Sequence, residues 1–195
     1  MGIDLLPPFI IENYDVHEWK HACAILHHDF PSEWHDIIDA LTEFRFRRSW
    51  ITIGGGRKSK VAEALDSFLL GRTWVEKKFQ TEILVDGRRS ESPTHAVDCF
   101  KNGVALEIEW NNKDPFYDRD LNNFRLLFDL RVVSVGVIVT RCDDLQAIFD
   151  GIGRGSSFGN STTHMSKLLP RIEGGSGGGC PILVFGIRRG LYVED

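Results

Sequence analysis

The sequence predicts an α/β fold, a central mixed β-sheet flanked by helices. Three observations carry this. Apolar residues recur at helical spacing through the first third of the chain, then alternate with period two over residues 77–110. An amphipathic stretch and an uninterrupted apolar run, suited to a buried strand, follow in that order. At 195 residues, with 42% hydrophobic and 26% charged residues, the chain is long enough for one domain with a substantial core.

Residues 16–30 (VHEWKHACAILHHDF) and 31–44 (PSEWHDIIDALTEF) read as helices, the second capped by Ser32. SWITIGGG at 49–56 reads as a short strand ending in a glycine turn, and 57–71 as a helix stopped at Gly71. Residues 77–87, 94–103 and 104–110 form a three-strand meander, with turns at Asp86-Gly87 and Asn102-Gly103. YDRDLNNFRLLFDL at 117–130 is an amphipathic helix, VVSVGVIVT at 132–140 a buried strand and 143–152 a short helix. A polar loop at 153–166, a mobile glycine-rich one at 173–180 and a strand at 181–187 complete the order.

The formal charge of −5 excludes a simple polycationic nucleic-acid binder but not a nucleic-acid enzyme, since metal-binding acids coexist with local basic surface. Cys23, Cys99, Cys142 and Cys180 form no CxxC pair, which argues against a zinc ribbon or a disulfide framework and fits a reducing compartment. MGIDLLPPFIIENYD lacks the basic start of a signal peptide, and no apolar run reaches membrane-span length. The expectation is a soluble, cytoplasmic protein of one domain over 1–195.

Two motifs are weak. HEWKH at 17–21 matches H-E-x-x-H, which on a helix sets two histidines one turn apart for zinc, beside a glutamate base. Lys20 stands between the histidines and nothing places Glu43 as a third ligand, so a solvated helix face is the better reading than a zinc protease. GGGRKS at 54–59 departs from the phosphate-loop pattern at Arg57, where a glycine is required. Its glycines suit a turn at a helix N-terminus, close to a DNA phosphate.

The segment HAVDCFKNGVALEIEWNNKD, 95–114, is more specific. On a strand Glu107 and Glu109 project to one face while Ile108 faces the core, and the Asn102-Gly103 turn folds Asp98 back beside them. A solvated sheet face is the alternative, but VDCF and VALEIEW are otherwise apolar, so three carboxylates converge where water is scarce. Hard divalent cations take carboxylate and carbonyl oxygens, and Asp98, Glu107 and the Ile108 carbonyl supply such a set. The cation is Mg²⁺, with Mn²⁺ able to replace it, and its chemistry is to polarise a phosphoryl oxygen and to sharpen water as a nucleophile.

An acid followed on the next strand by E-x-[acid, Gln or Lys], within a helix, three-strand, helix, strand frame, resembles the core of the PD-(D/E)xK nucleases. More narrowly, residues 97–141 (VDCFKNGVALEIEWNNKDPFYDRDLNNFRLL…VTR), GGGRKS followed by ALD, and GGGCPILVFGI are similar to the BglII/BstYI group of type II restriction endonucleases. The resemblance covers about residues 50–190 and is strongest over 96–141.

The resemblance implies a restriction-endonuclease-like core over 50–150, preceded by a helical part at 1–49 and followed at 151–195 by a recognition loop and the C-terminal strand. It implies that Asp98 and Glu107 bind the metal. Glu109 replaces the usual lysine of the superfamily, and its role stays open among base, second ligand and positioner of water. Lys113 cannot take the lysine's place, because four strand residues shift it by about 13 Å. Asn111 and Asn112 stand where the group approaches the major groove, and asparagine pairs bidentately with adenine. Lys113 and Arg119 are candidates for phosphate or base contact. Ser161, Thr162, Thr163, His164, Lys167 and Arg171 form a second recognition element, and Arg188 and Arg189 are candidates for backbone or minor-groove contact. Glu76 is an accessory-acid candidate.

The function so implied is a homodimeric, Mg²⁺-dependent type II restriction endonuclease that cuts double-stranded DNA at a short palindrome with a GATC-like centre and leaves 5′-phosphates. The dimer interface includes part of DRDLNNFRLLF, and a cognate methyltransferase acts on the same site. The rival readings are a related nuclease of repair or structure-specific role, and a DNA-binding module without catalysis.

Overall fold

A computed structural model describes residues 2–53 and 58–195. A short 3₁₀ turn, Gly2–Leu5, precedes α1 (Pro8–Asn13), β1 (Tyr14–Trp19), α2 (Ala22–Asp29) and α3 (Pro31–Glu43). Then come β2 (Phe46–Arg47), α4 (Arg48–Thr52), α5 (Lys60–Leu70) and the meander β3 (Val75–Val85), β4 (Arg88–Lys101) and β5 (Val104–Glu109). The chain continues through α6 (Phe116–Asp129), β6 (Val135–Arg141), α7 (Gln146–Gly151), α8 (Met165–Glu173), β7 (Ile182–Ile187) and β8 (Tyr192–Val193). Six strands form one mixed sheet in the order β1-β7-β6-β5-β4-β3, with β5, β6 and β7 parallel and the outer pairings antiparallel.

The meander and its turns match the sequence expectation. Asp86 and Gly87, like Asn102 and Gly103, all have positive φ, the conformation of a two-residue type I′ turn, whose twist matches that of its strands. The sheet separates two apolar layers, and strand alternation assigns side chains to them. Val104, Leu106 and Ile108 of β5 join the layer of α2, α3 and α5. Ala105 faces the other layer with Tyr117, Leu121, Phe124 and Leu127 of α6 and Leu168 and Ile172 of α8. By the same alternation Glu107 and Glu109 point toward α6. Gly136 lets α6 approach: a Cβ there would sit 2.4 Å from the Phe124 ring.

Three local expectations are corrected. Residues 14–19 are a strand, not the start of a helix, because β1 pairs along β7 from Tyr14↔Ile187 to Trp19↔Ile182. A distant edge overrides the local spacing, and Lys20 and His21, both at positive φ, turn the chain into α2. Residues 48–52 are helical, not a strand: Ile51 is buried, and the Ser49 backbone N–H and hydroxyl both donate to the Asp195 carboxylate. Ser32 does not cap α3, which begins one residue earlier at Pro31, a residue suited to a first helical turn. Ser59 does cap α5, its hydroxyl accepting from the Ala62 N–H at 3.1 Å. The glycine segment at 54–57 lies outside the described residues.

Candidate active site

β4 and β5 pair through Cys99↔Leu106 and then part. Where Asp98 would face Glu107, side chains take over the backbone's role. The Asp98 N–H donates to Glu107 Oε2 at 3.3 Å, and the Ile108 N–H donates to Asp98 Oδ2 at 3.0 Å. Asp98 and Glu107 are therefore adjacent, with the Ile108 N–H, rather than its carbonyl, bonded between them. Glu107 and Glu109 are only 0% and 1% exposed, which rules out a solvated sheet face.

The helix opposite adds a fourth acid. Asp120 of α6 is fully buried, and Arg119 beside it reaches two carboxylates. Arg119 Nε donates to Asp120 Oδ1 at 2.9 Å and Nη2 to Glu109 Oε1 at 3.2 Å, while the guanidinium lies 4.2 Å from the Phe116 ring centre. Asn112 donates its amide N–H to Glu109 Oε2 at 2.7 Å. Glu109 thus has a donor on each oxygen. Glu107 Oε1 and Asp120 Oδ2 are buried with no hydrogen-bond partner in the chain. Buried carboxylate oxygens left in that state are costly unless a cation or a bound proton neutralises them.

The same imbalance moves the acidities. Burial, then the charges of Asp120 and Asp98, push Glu107 well above the usual carboxylate range. Burial and the neighbouring Asp120 raise Glu109 to about 9. Burial also raises Asp120. His95 of β4, with a ligand atom within 4.8 Å of those of Glu107 and Asp120, is lowered by burial and by the Arg119 charge. The donor set fits a hard divalent cation: carboxylates of Asp98 and Glu107 stand beside the Ile108 backbone, and an orphaned Glu107 oxygen is left over.

The candidate DNA-contacting residues divide. Asn112 and Arg119 are bonded into the acid cluster, whereas Lys113 is exposed. The two expected recognition segments are joined to each other: Thr163 N–H donates to the Asn112 carbonyl at 2.9 Å, Asp114 N–H to the Ser161 carbonyl at 3.1 Å, and Lys113 bridges Thr162. Thr163 and His164 are buried rather than presented as free donors. His164 Nδ1 bonds Asp143 at 2.7 Å, and the Thr163 hydroxyl accepts from the Asn112 N–H. Buried Arg141 ties the loop down through the Phe158 carbonyl and Thr162 Oγ1. Arg171 is ion-paired with Asp118 and Asp114, and Arg188 lies 3.7 Å from Asp15. Ser161 and Arg189 are exposed, Lys167 half-buried. Glu76 is exposed on β3, outside the buried acid cluster.

HEWKH is neither a zinc helix nor a solvated helix face. His17 and Glu18 lie on β1, and Glu18 accepts from the N–H groups of Gly2 and Cys23. The sequence reading missed His95 and Asp120. Asp120 left a signal: it lies on the stripe Tyr117, Leu121, Phe124 that the helix buries, where an acid is out of place. His95 left none, because strand alternation does not reveal what a helix brings over it.

A family model described as restriction endonuclease BglII/BglIII matches residues 14–187. No curated protein matches the chain.

Proposed function

The chain belongs to the BglII/BglIII restriction endonuclease family and is thus a type II site-specific deoxyribonuclease; from this premise we propose that it is a Mg²⁺-dependent homodimer cutting both strands of a short palindrome with a GATC-like centre. The observation that carries the metal assignment is the buried, unpartnered Glu107 Oε1 on a carboxylate whose other oxygen accepts from the Asp98 N–H, while Arg119 reaches only Glu109 and Asp120. Asp98, Glu107 and the Ile108 carbonyl would hold the ion, with Mn²⁺ able to replace Mg²⁺. When bound, it supplies Lewis-acid polarisation of the scissile phosphate and a lower barrier to deprotonating water.

The chain's own residues do the rest. Glu109 is the base: Asn112 and Arg119 each donate to one of its oxygens, and a cation bound beside it would favour the carboxylate form that takes a proton from water. Water attacks phosphorus in line and the 3′ oxygen leaves, giving a 5′-phosphate and a 3′-hydroxyl. Asn111, Asn112, Lys113, Ser161 and Thr162 face the duplex, backed by the buried Thr163 and His164, with Lys167, Arg188 and Arg189 on phosphates. Two copies related by a two-fold axis, meeting in part through α6, present two such sites to a palindrome. A methyltransferase acting on the same site protects host DNA. The test is digestion of phage-length DNA with Mg²⁺, followed by sequencing of the ends. Discrete fragments with one shared palindrome support the reading, and a smear or intact DNA sinks it.

A further inference from the structure

We propose that His95, Glu107 and Asp120 form a second cation site, one that prefers a borderline transition metal of the Mn²⁺, Co²⁺ or Zn²⁺ class to Mg²⁺. The three residues come from β4, β5 and α6, and each offers a ligand atom within 4.8 Å of the others. Two metal–ligand bonds of about 2.1 Å span at most about 4.2 Å, so a contraction of roughly half an ångström completes the set. The independent sign of a missing ligand is the orphaned Asp120 Oδ2, which the first site does not use. Glu107 and Asp120 are each 0% exposed, yet Glu107 Oε1 and Asp120 Oδ2 have no partner in the chain.

Arg119 explains why Asp120 is available in the right sense. It engages Oδ1 from the side of Glu109 and leaves Oδ2. Among the described residues every ion pair to Asp98, Glu107, Glu109 and Asp120 comes from Arg119, so no other cationic side chain competes with a second metal ion. The ligand chemistry sets the selectivity. An imidazole nitrogen with two carboxylates suits later first-row metals, whereas the all-oxygen set of Asp98, Glu107 and the Ile108 carbonyl suits Mg²⁺. The two sites share Glu107. The second rests on the cluster's geometry and not on the nuclease reading.

Co²⁺ is the probe, added to the metal-free full-length protein and followed by proton NMR for paramagnetically shifted imidazole signals. The expected result is a shifted, solvent-exchangeable imidazole proton in the wild type that disappears in His95→Gln, with Co²⁺ affinity reduced at least about tenfold. Mg²⁺ affinity should change less than Co²⁺ affinity in that variant. No shifted imidazole signal in the wild type, or the same signal in His95→Gln, overturns the proposal. Should His95→Gln fail to fold, Asp120→Asn decides: wild-type Co²⁺ affinity with the imidazole signal retained overturns it, and loss supports it. None of these readouts uses cleavage, so failure here is separable from failure of the nuclease reading.

Discussion

The backbone N–H of Asp98 lies 3.3 Å from Glu107 Oε2, at the pair where the β4–β5 ladder would have its next rung. Two strands that part at this point leave room between them, and the Ile108 N–H, donating to Asp98 Oδ2, holds the opened geometry from the other side. The site is therefore a splayed end of a sheet with carboxylates in place of backbone bonds. Asp98→Asn and Glu107→Gln should each lower Mg²⁺-dependent cleavage by roughly a thousandfold or more, the loss of about 4 kcal/mol of charge stabilisation. Single-turnover cleavage of a cognate duplex measures this, and activity within tenfold of wild type contradicts the metal assignment.

Arg119 should be a stability residue as well as a site residue. It donates to both buried Glu109 and buried Asp120. Removing one partner of a buried pair costs about 3–5 kcal/mol, and the roughly one-third exposure of the arginine side chain reduces this to about 1–3. Arg119→Gln should therefore unfold at lower urea in the absence of metal, with most of the loss recovered in a divalent cation. An unchanged urea midpoint would show that the ion pairs are idle.

Metal-free stability should depend on pH with an unusual sign for carboxylates. Glu109 binds its proton more tightly folded than unfolded, with a folded pKa of about 9 against an ordinary 4.5. The folded state then holds more protons through that window, so its stabilisation is full below about pH 4.5 and is lost as pH rises toward 9. Glu107, also raised, acts in the same direction. Thermal melts from pH 5 to 9 should fall for the wild type and fall less steeply for Glu109→Gln. Equal slopes would remove Glu109 as the source.

Gly136→Ala should be destabilising although alanine is small. The added methyl would meet the Phe124 ring, whose helix carries Arg119 and Asp120 across the sheet. Overpacking of this kind costs about 1–3 kcal/mol. Displacement of α6 should also reduce cleavage, whereas a variant as stable and active as wild type would show that the ring yields freely.

Arg141→Met should free the segment around 159–163 without touching the acids, because Arg141 bonds the Phe158 carbonyl and Thr162 Oγ1. Hydrogen exchange at the Thr163 and Asp114 amides, both bonded between the two segments, should quicken. Protection equal to wild type would assign that joint to other contacts.

What the sequence determined by itself is what depends on near neighbours. The Asp-Gly and Asn-Gly turns adopt positive φ locally, so the meander and the placing of Asp98 next to Glu107 could be read directly. The stripe of 117–130 made α6 a helix, and the acid pattern with its flanking residues was enough to identify the family. Tertiary structure decided the rest, where residues far apart in the chain compete with local preference. The edge of β7 made residues 14–19 a strand, and Asp195 helped hold 48–52 as a helix. Above all, it decided what answers the buried charge. Arg119 and Asp120 reach Glu109, Glu107 and His95 only once α6 lies across the sheet, and a close approach between two elements is not encoded in the period of either.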